Sequence, residues 1–291
     1  MPQRCDSTED WENGSVEMHK ASFLPRWAVV LALVVVAQPS FAQLIVKLRP
    51  ETVNEFERYA KSVEAELGRR WQGKANFISV EDSASDKAKV MGGEFLVRPA
   101  RPDGNPVSVT DGLIHDWIGT VFIPDTNPER VISVLRDFDN HKKIYPEVTD
   151  SKTLSSTDTE TVGYWRVQQR KGLVPVALDI EQDAHYSKLA PGKWNCRAYA
   201  RKITEIDKSP FSRGRRFPEG EGHGYMWKMY AYWSIESVNG GVLAECRTLS
   251  LSRSIPQAVA WAVGPYVQKA PEESLTSTLK QTRAATMNAD H

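Results

Sequence analysis

From Val148 onward the chain runs through one strand-like segment after another, and no further long helix intervenes before the C-terminus. The segments fall at 148–154, 162–169, 174–189, 194–206, 225–238 and 242–253, with Asn239-Gly240-Gly241 as a tight hairpin signal between the last two. Alternation with period two assigns their faces. Val174, Val176, Leu178 and Ile180 oppose Asp179, Glu181 and Asp183; Trp194, Cys196, Ala198 and Ala200 oppose Arg197 and Arg201. Tyr225, Trp227, Met229, Ala231, Trp233 and Ile235 oppose Lys228, Tyr230, Ser234 and Glu236; Val242, Ala244, Cys246 and Thr248 oppose Glu245 and Arg247. One face is thus apolar and the other is expected to be wet, as in many antiparallel sheets. The apolar face needs a cover, and the large element left to supply it is the helical region from Pro256 to about Ala285. Gly264-Pro265 and Pro271 predict interruptions in that helix, because each proline removes a backbone donor.

Upstream, 113–123 reads as a strand stopped at Pro124, and Asn127-Pro128-Glu129 opens a helix with Asn127 as N-cap. Val131, Ile132, Val134, Leu135 and Phe138 supply its apolar face. Another amphipathic helix is expected from Pro50 to about Gln72, where Val53, Phe56, Ala60, Val63 and Leu67 recur three and four apart. Residues 77–80 and 94–97 read as short strands, and Pro99, Pro102-Asp103-Gly104 and Pro106 as a loop.

The N-terminus carries an export signal. Lys20 and Arg26 precede an apolar run of about 11 residues from Trp27, well short of the roughly 20 that span a bilayer, followed by Ser40-Phe41-Ala42. Cleavage is expected after Ala42, giving a periplasmic or extracellular protein, with Met1 and Met18 both open as initiators. The expected organisation is a signal segment 1–42, an extension 43–111, a main domain 112–286 and a tail 287–291. Lys and Arg number 37, as do Asp and Glu, so no global field gathers nucleic acid. Cys196 and Cys246 share a face but lie two strands apart if neighbours pair in order. That is about 9.5 Å, too far for a disulfide, and two buried thiols are expected.

Two stretches carry a family resemblance. The first is Trp117-Ile118-Gly119-Thr120-Val121-Phe122-Ile123-Pro124 leading into Pro128-Glu129-Arg130-Val131, then Asp137-Phe138-Asp139-Asn140-His141 and Tyr145-Pro146-Glu147-Val148. The second is Leu249-Ser250-Leu251-Ser252-Arg253-Ser254-Ile255-Pro256 with Glu273-Ser274-Leu275 beyond it. Over about residues 112 to 286 the chain resembles the START-like (SRPBCC, Bet v 1-like) superfamily, closest to its exported bacterial polyketide cyclase/dehydrase and coenzyme-Q-binding types. The resemblance implies an α+β helix-grip fold: a curved antiparallel sheet of about seven strands around a long kinked C-terminal helix, with an N-terminal helical extension. It also implies an apolar ligand (lipid, quinone or polycyclic compound) held between sheet and helix, since a minority of such proteins are enzymes.

The residues expected to line that space are Trp165, Leu178, Trp194, Ala198, Trp227, Met229, Trp233, Ala244, Trp261 and Tyr266. Aromatic residues among small ones (Ala198, Ala200, Ala231, Ala244, Thr248) leave room beneath a helix that is itself rich in small residues, and plain core packing is the competing explanation. His115-Asp116 cannot form one dyad, since neighbours on a strand point to opposite faces. HExxH, GxSxG and P-loop motifs do not occur, and no catalytic residue, metal or cofactor is assigned. A cyclase- or hydrolase-type enzyme and a protein-interaction module built on the extension are the alternatives to a carrier or sensor. Arg213-Gly214-Arg215-Arg216 is either a transient contact for a membrane surface or a solvated loop neutralised by Glu219 and Glu221.

Overall fold

The computed structural model describes residues 45–169, 176–208, 214–255 and 257–288. The expected export signal and cleavage site, the expected strand start at Val174, and Arg213 lie outside the described residues. The elements in chain order are β1 (Val46–Lys47), α1 (Pro50–Trp71), α2 (Ala84–Met91), β2 (Leu96–Pro99), β3 (Val107–Val109) and β4 (Gly112–Pro124). Next come α3 (Pro128–Arg136), α4 (His141–Ile144), β5 (Val148–Ser156), β6 (Glu160–Gln169), β7 (Val176–Ala190) and β8 (Lys193–Glu205). The chain then forms β9 (Glu221–Gly222), β10 (Lys228–Val238), β11 (Gly241–Arg253) and α5 (Gln257–Asn288).

The main sheet is antiparallel, in the order β2-β4-β11-β10-β8-β7-β6-β5, with β3 also paired to β4. The main domain supplies β4, β5, β6, β7, β8, β10 and β11, the expected count of about seven, and the extension adds β2 and β3 at the β4 edge, giving 9 strands among the described residues. Local chemistry sets the corners. Asn127 caps α3 by accepting the Arg130 N–H at 3.0 Å. The β10–β11 hairpin pairs Val238 with Gly241, and Gly240 takes the left-handed backbone (φ 81) that its tight turn requires.

One face of the sheet meets α5. Leu275 and Leu279 are buried with Val121, Ile123, Trp233, Ile235, Ala244 and Cys246. Gly119 makes that approach feasible: a Cβ there would sit 2.6 Å from Leu279 Cδ1 and 3.0 Å from Leu275 Cγ. The expected interruptions are absent, and α5 is one helix of 32 residues. Pro265 and Pro271 each forfeit a single N–H bond, and a helix about 48 Å long, clamped at its C-terminal half, keeps its other bonds.

The opposite face is not wet throughout. The stripe Phe56, Ala60, Val63 and Leu67 of α1 packs on Ile114, Tyr232, Leu249 and Leu251. Polar groups dock with it: Tyr199 and Tyr232 donate to Glu64 at 2.9 and 3.0 Å, and Tyr230 to Glu57 at 2.6 Å. The apolar stripe of α1 is therefore covered within the chain. Residues 79–82 form a 3-10 turn instead of a strand, because the Ser79 N–H is committed to buried Glu245 at 3.0 Å. The expected strand at 94–97 starts two residues later, as β2.

Cys196 and Cys246 are buried free thiols. They flank Trp233, which pairs with Cys196 on one side and Cys246 on the other.

Candidate functional site

The inner face of the sheet divides into a closed end and an open end. At the closed end α3 lays Val131, Ile132 and Leu135 over Ala184, Tyr186, Ala198, Trp233 and Ile235, all buried. Toward the other end the inward side chains lose that cover. Trp165, Val167 and Met229 are only partly buried there, while Trp117 and Ala231, also partly buried, pack against the closed-end core. Buried Leu178, Ile180, Ala200 and Ile203 form the floor there, with Trp165, Val167 and Met229 packed against them. The N-terminal half of α5, which is the more apolar half by sequence, follows directly from β11.

The expected lining residues separate accordingly. Trp165, Leu178 and Met229 meet at the open end. Ala198, Trp233 and Ala244 are core residues of the closed end, with Trp194 packed at their margin and its indole N–H 3.2 Å from Glu129. Trp227 does not belong to the inner face. It packs with the α1 stripe, because the chain reaches β10 through a turn at Gly224 (φ 72) and the strand begins only at Lys228. Continuous alternation from Tyr225 therefore fails. Trp261 is 83% exposed. Tyr266 lies on α5, and its side chain is outside the described residues.

A buried aromatic cluster, absent from the expected lining, roofs the open end. Phe138 and His141 pack 6.2 and 6.0 Å, ring to ring, from Trp165, and His141 meets Tyr145 at 5.1 Å. Tyr145 hydroxyl is 3.0 Å from Thr282 Oγ1 on α5, tying α4 to the terminal helix. The signal for this cluster was Gly163, a lone glycine inside a strand, which marks close approach. A Cβ at Gly163 would run into the Phe138 ring. His115 stands apart, with Nε2 3.0 Å from Ser252 Oγ, while Asp116 pairs with Arg247. Two arginines of the basic loop are engaged internally: Arg216 donates to Asp179 at 2.7 Å and Arg215 stacks over Phe217 at 5.2 Å. Among the described residues no group of three or more His, Cys, Asp or Glu is placed to hold a metal ion.

Burial lowers the pKa of His115 and of His141 to about 4. An unfolded histidine titrates near 6.5, so both favour the folded state fully above that pH, and the contribution falls away as pH drops toward 4. Each removes roughly 3 kcal/mol over that window. Burial raises the Glu245 carboxyl, and its protonation offsets part of the loss. Urea midpoints should therefore fall between pH 7 and pH 4.5, and His141→Leu should show a shallower fall. Equal slopes for wild type and variant would contradict the assignment.

No family model and no curated protein matches the chain. Among solved structures it is similar to the STAR-related lipid transfer protein (fragment 25–204) of Xanthomonas axonopodis, at 22% identity and a TM-score of 0.43, over 62% of this chain and 97% of that one. It is also similar to human STARD10, at 14% identity and a TM-score of 0.40, over 72% and 80%. A third is the Zhui aromatase/cyclase of Streptomyces, at 11% identity and a TM-score of 0.39, over 61% and 96%. The fold stands on the strand order and terminal helix described above. The chain is a helix-grip protein, the architecture that the START-like resemblance implies.

Proposed function

We propose that the chain binds an apolar small molecule at the open end of the inner face, beneath the N-terminal half of α5, and acts as an exported carrier or sensor. The observation that carries this reading is the contrast along one face. The closed end is packed shut, whereas Trp165, Val167 and Met229, set over Leu178, Ile180, Ala200 and Ile203, stay only partly buried on the same sheet face. Covering such surface contributes roughly 25 cal/mol per Å², so a ligand burying about 300 Å² gains several kcal/mol before its ordering cost. The secretory pattern before Gln43 supports export, which a fusion of the first 60 or so residues to a periplasmic reporter enzyme tests.

Met229→Trp fills the open end and serves as the direct test. Wild-type protein purified from its native host should release an apolar molecule on solvent extraction and native mass spectrometry. The variant should carry several-fold less while keeping its thermal midpoint within about 3 °C, given a surface-facing overpacking cost near 1 kcal/mol. Equal loading of the two proteins, or no molecule on either, would sink the reading.

A cyclase- or hydrolase-type reaction is the second reading, and the His141–Tyr145 contact at 5.1 Å favours it. Burial holds that histidine neutral and pushes the Tyr145 hydroxyl up to about 12, which gives one proton acceptor and one uncharged hydroxyl side by side.

A further inference from the structure

Two buried nitrogens in the cluster over the open end have no hydrogen-bond partner: His141 Nδ1 and Trp165 Nε1. Their ring centroids are 6.0 Å apart, close enough for one small polar group to serve both. Trp165 pairs with Ile180 across β6 and β7, and cross-strand partners share a face, so its ring belongs to the inner face with Ile180. His141 is only 4% exposed.

The chemistry of each nitrogen is determined. His141 Nε2 lies 3.2 Å from the Val134 carbonyl, which can only accept, so Nε2 carries the proton and Nδ1 presents a lone pair. The imidazole stays neutral near pH 7, since burial opposes its protonation. Trp165 Nε1–H can only donate. Tyr145 does not complete either nitrogen, because its hydroxyl is engaged with Thr282. Trp227 Nε1, also unpaired, lies among the residues packed against α1 on the other face and takes no part.

Resting on the apolar-ligand reading above, we propose that His141 and Trp165 form the polar end of the site and select a ligand bearing a neutral hydroxyl. Its oxygen accepts from the Trp165 indole N–H, and its own O–H donates to His141 Nδ1. A ketone or ether oxygen answers only the indole. A carboxylate would face the Nδ1 lone pair, and an ammonium would face the indole N–H. The ligand class is thus a phenol or alcohol on an apolar body.

Calorimetric titration of the mature chain with 2-naphthol and with 2-methoxynaphthalene tests this, the second probe keeping the acceptor oxygen but lacking the donor. Naphthol should bind about tenfold tighter, as one extra hydrogen bond in a dry site implies. His141→Phe should abolish that preference, and Trp165→Phe should weaken both probes. Should the His141 variant fail to fold, the ¹⁵N resonance of Nδ1 in the wild type decides, since it should move on adding naphthol and not on adding the ether. Equal affinity of wild type for the two probes overturns the hydroxyl site, leaving the nitrogens to an internal water, while the apolar cavity stands. Binding of neither probe overturns the hydroxyl site and the cavity reading together.

Discussion

Replacing Arg247 by Met should destabilise the protein by about 3–5 kcal/mol, the range for breaking a buried ion pair from one side. The Arg247 side chain is 8% exposed and that of Asp116 1%. The guanidinium makes a two-pronged contact, Nε to Asp116 Oδ1 at 2.9 Å and Nη2 to Oδ2 at 2.7 Å. Its remaining nitrogen reaches Glu66 of α1 at 2.7 Å. Removing it strands the Asp116 carboxylate in the interface between sheet and α1 with only the Tyr59 hydroxyl, at 2.8 Å, as a side-chain donor. The denaturant midpoint should fall sharply. The double variant Arg247→Met with Asp116→Leu should recover much of the loss, because no unpaired charge then remains buried. If the single variant unfolds at the wild-type midpoint, or the double variant is worse than the single, the ion pair is not what docks α1.

That pair also shows where a sequence stops being legible. Arg247 and Glu245 occupy the polar positions of a well-alternating strand, and alternation alone assigns them to solvent. Alternation reports two faces; it does not report what lies on each. The cover is α1, more than 170 positions earlier in the chain, and its Phe56–Leu67 stripe carried the information that some surface had to receive it. Trp227 was misread for a different reason. Period two holds only inside a strand, and Gly224 turns the chain just before β10 starts. Signals made by a few adjacent residues were read correctly: the Asn127 cap, the Asn239-Gly240 turn, and the separation of the two cysteines by one intervening strand. The proline signals in the terminal helix were local as well, yet α5 runs on through both prolines. Of the expected lining, Trp165, Leu178 and Met229 come together at the open end, whereas the histidine above them appears in the sequence only as part of the Asp137–His141 stretch, with no role attached.

Gly163→Val should damage the candidate site by overpacking. The glycine sits in β6 beneath Phe138, and a Cβ there collides with three atoms of the ring. The ring has little freedom to yield. Phe138 is 1% exposed, and its ring packs against both His141 at 4.5 Å and Trp165 at 6.2 Å. Overpacking a site of this kind costs up to about 3 kcal/mol, which for a chain of this size lowers the thermal midpoint by roughly 10 °C. Because Phe138 is the hinge of the cluster, its displacement should also move His141 away from Trp165 and reduce loading with an apolar ligand. A double-mutant cycle separates this clash from a backbone effect. Phe138→Ala alone should cost about 3–5 kcal/mol through the cavity it leaves. Combined with Gly163→Val, the valine side chain occupies part of that cavity, so the pair should be less destabilised than the sum of the singles by 1 kcal/mol or more, an order typical of residues in contact. Strict additivity would mean that the glycine is required for its backbone and not for the ring above it, and the aromatic roof of the site would lose its explanation.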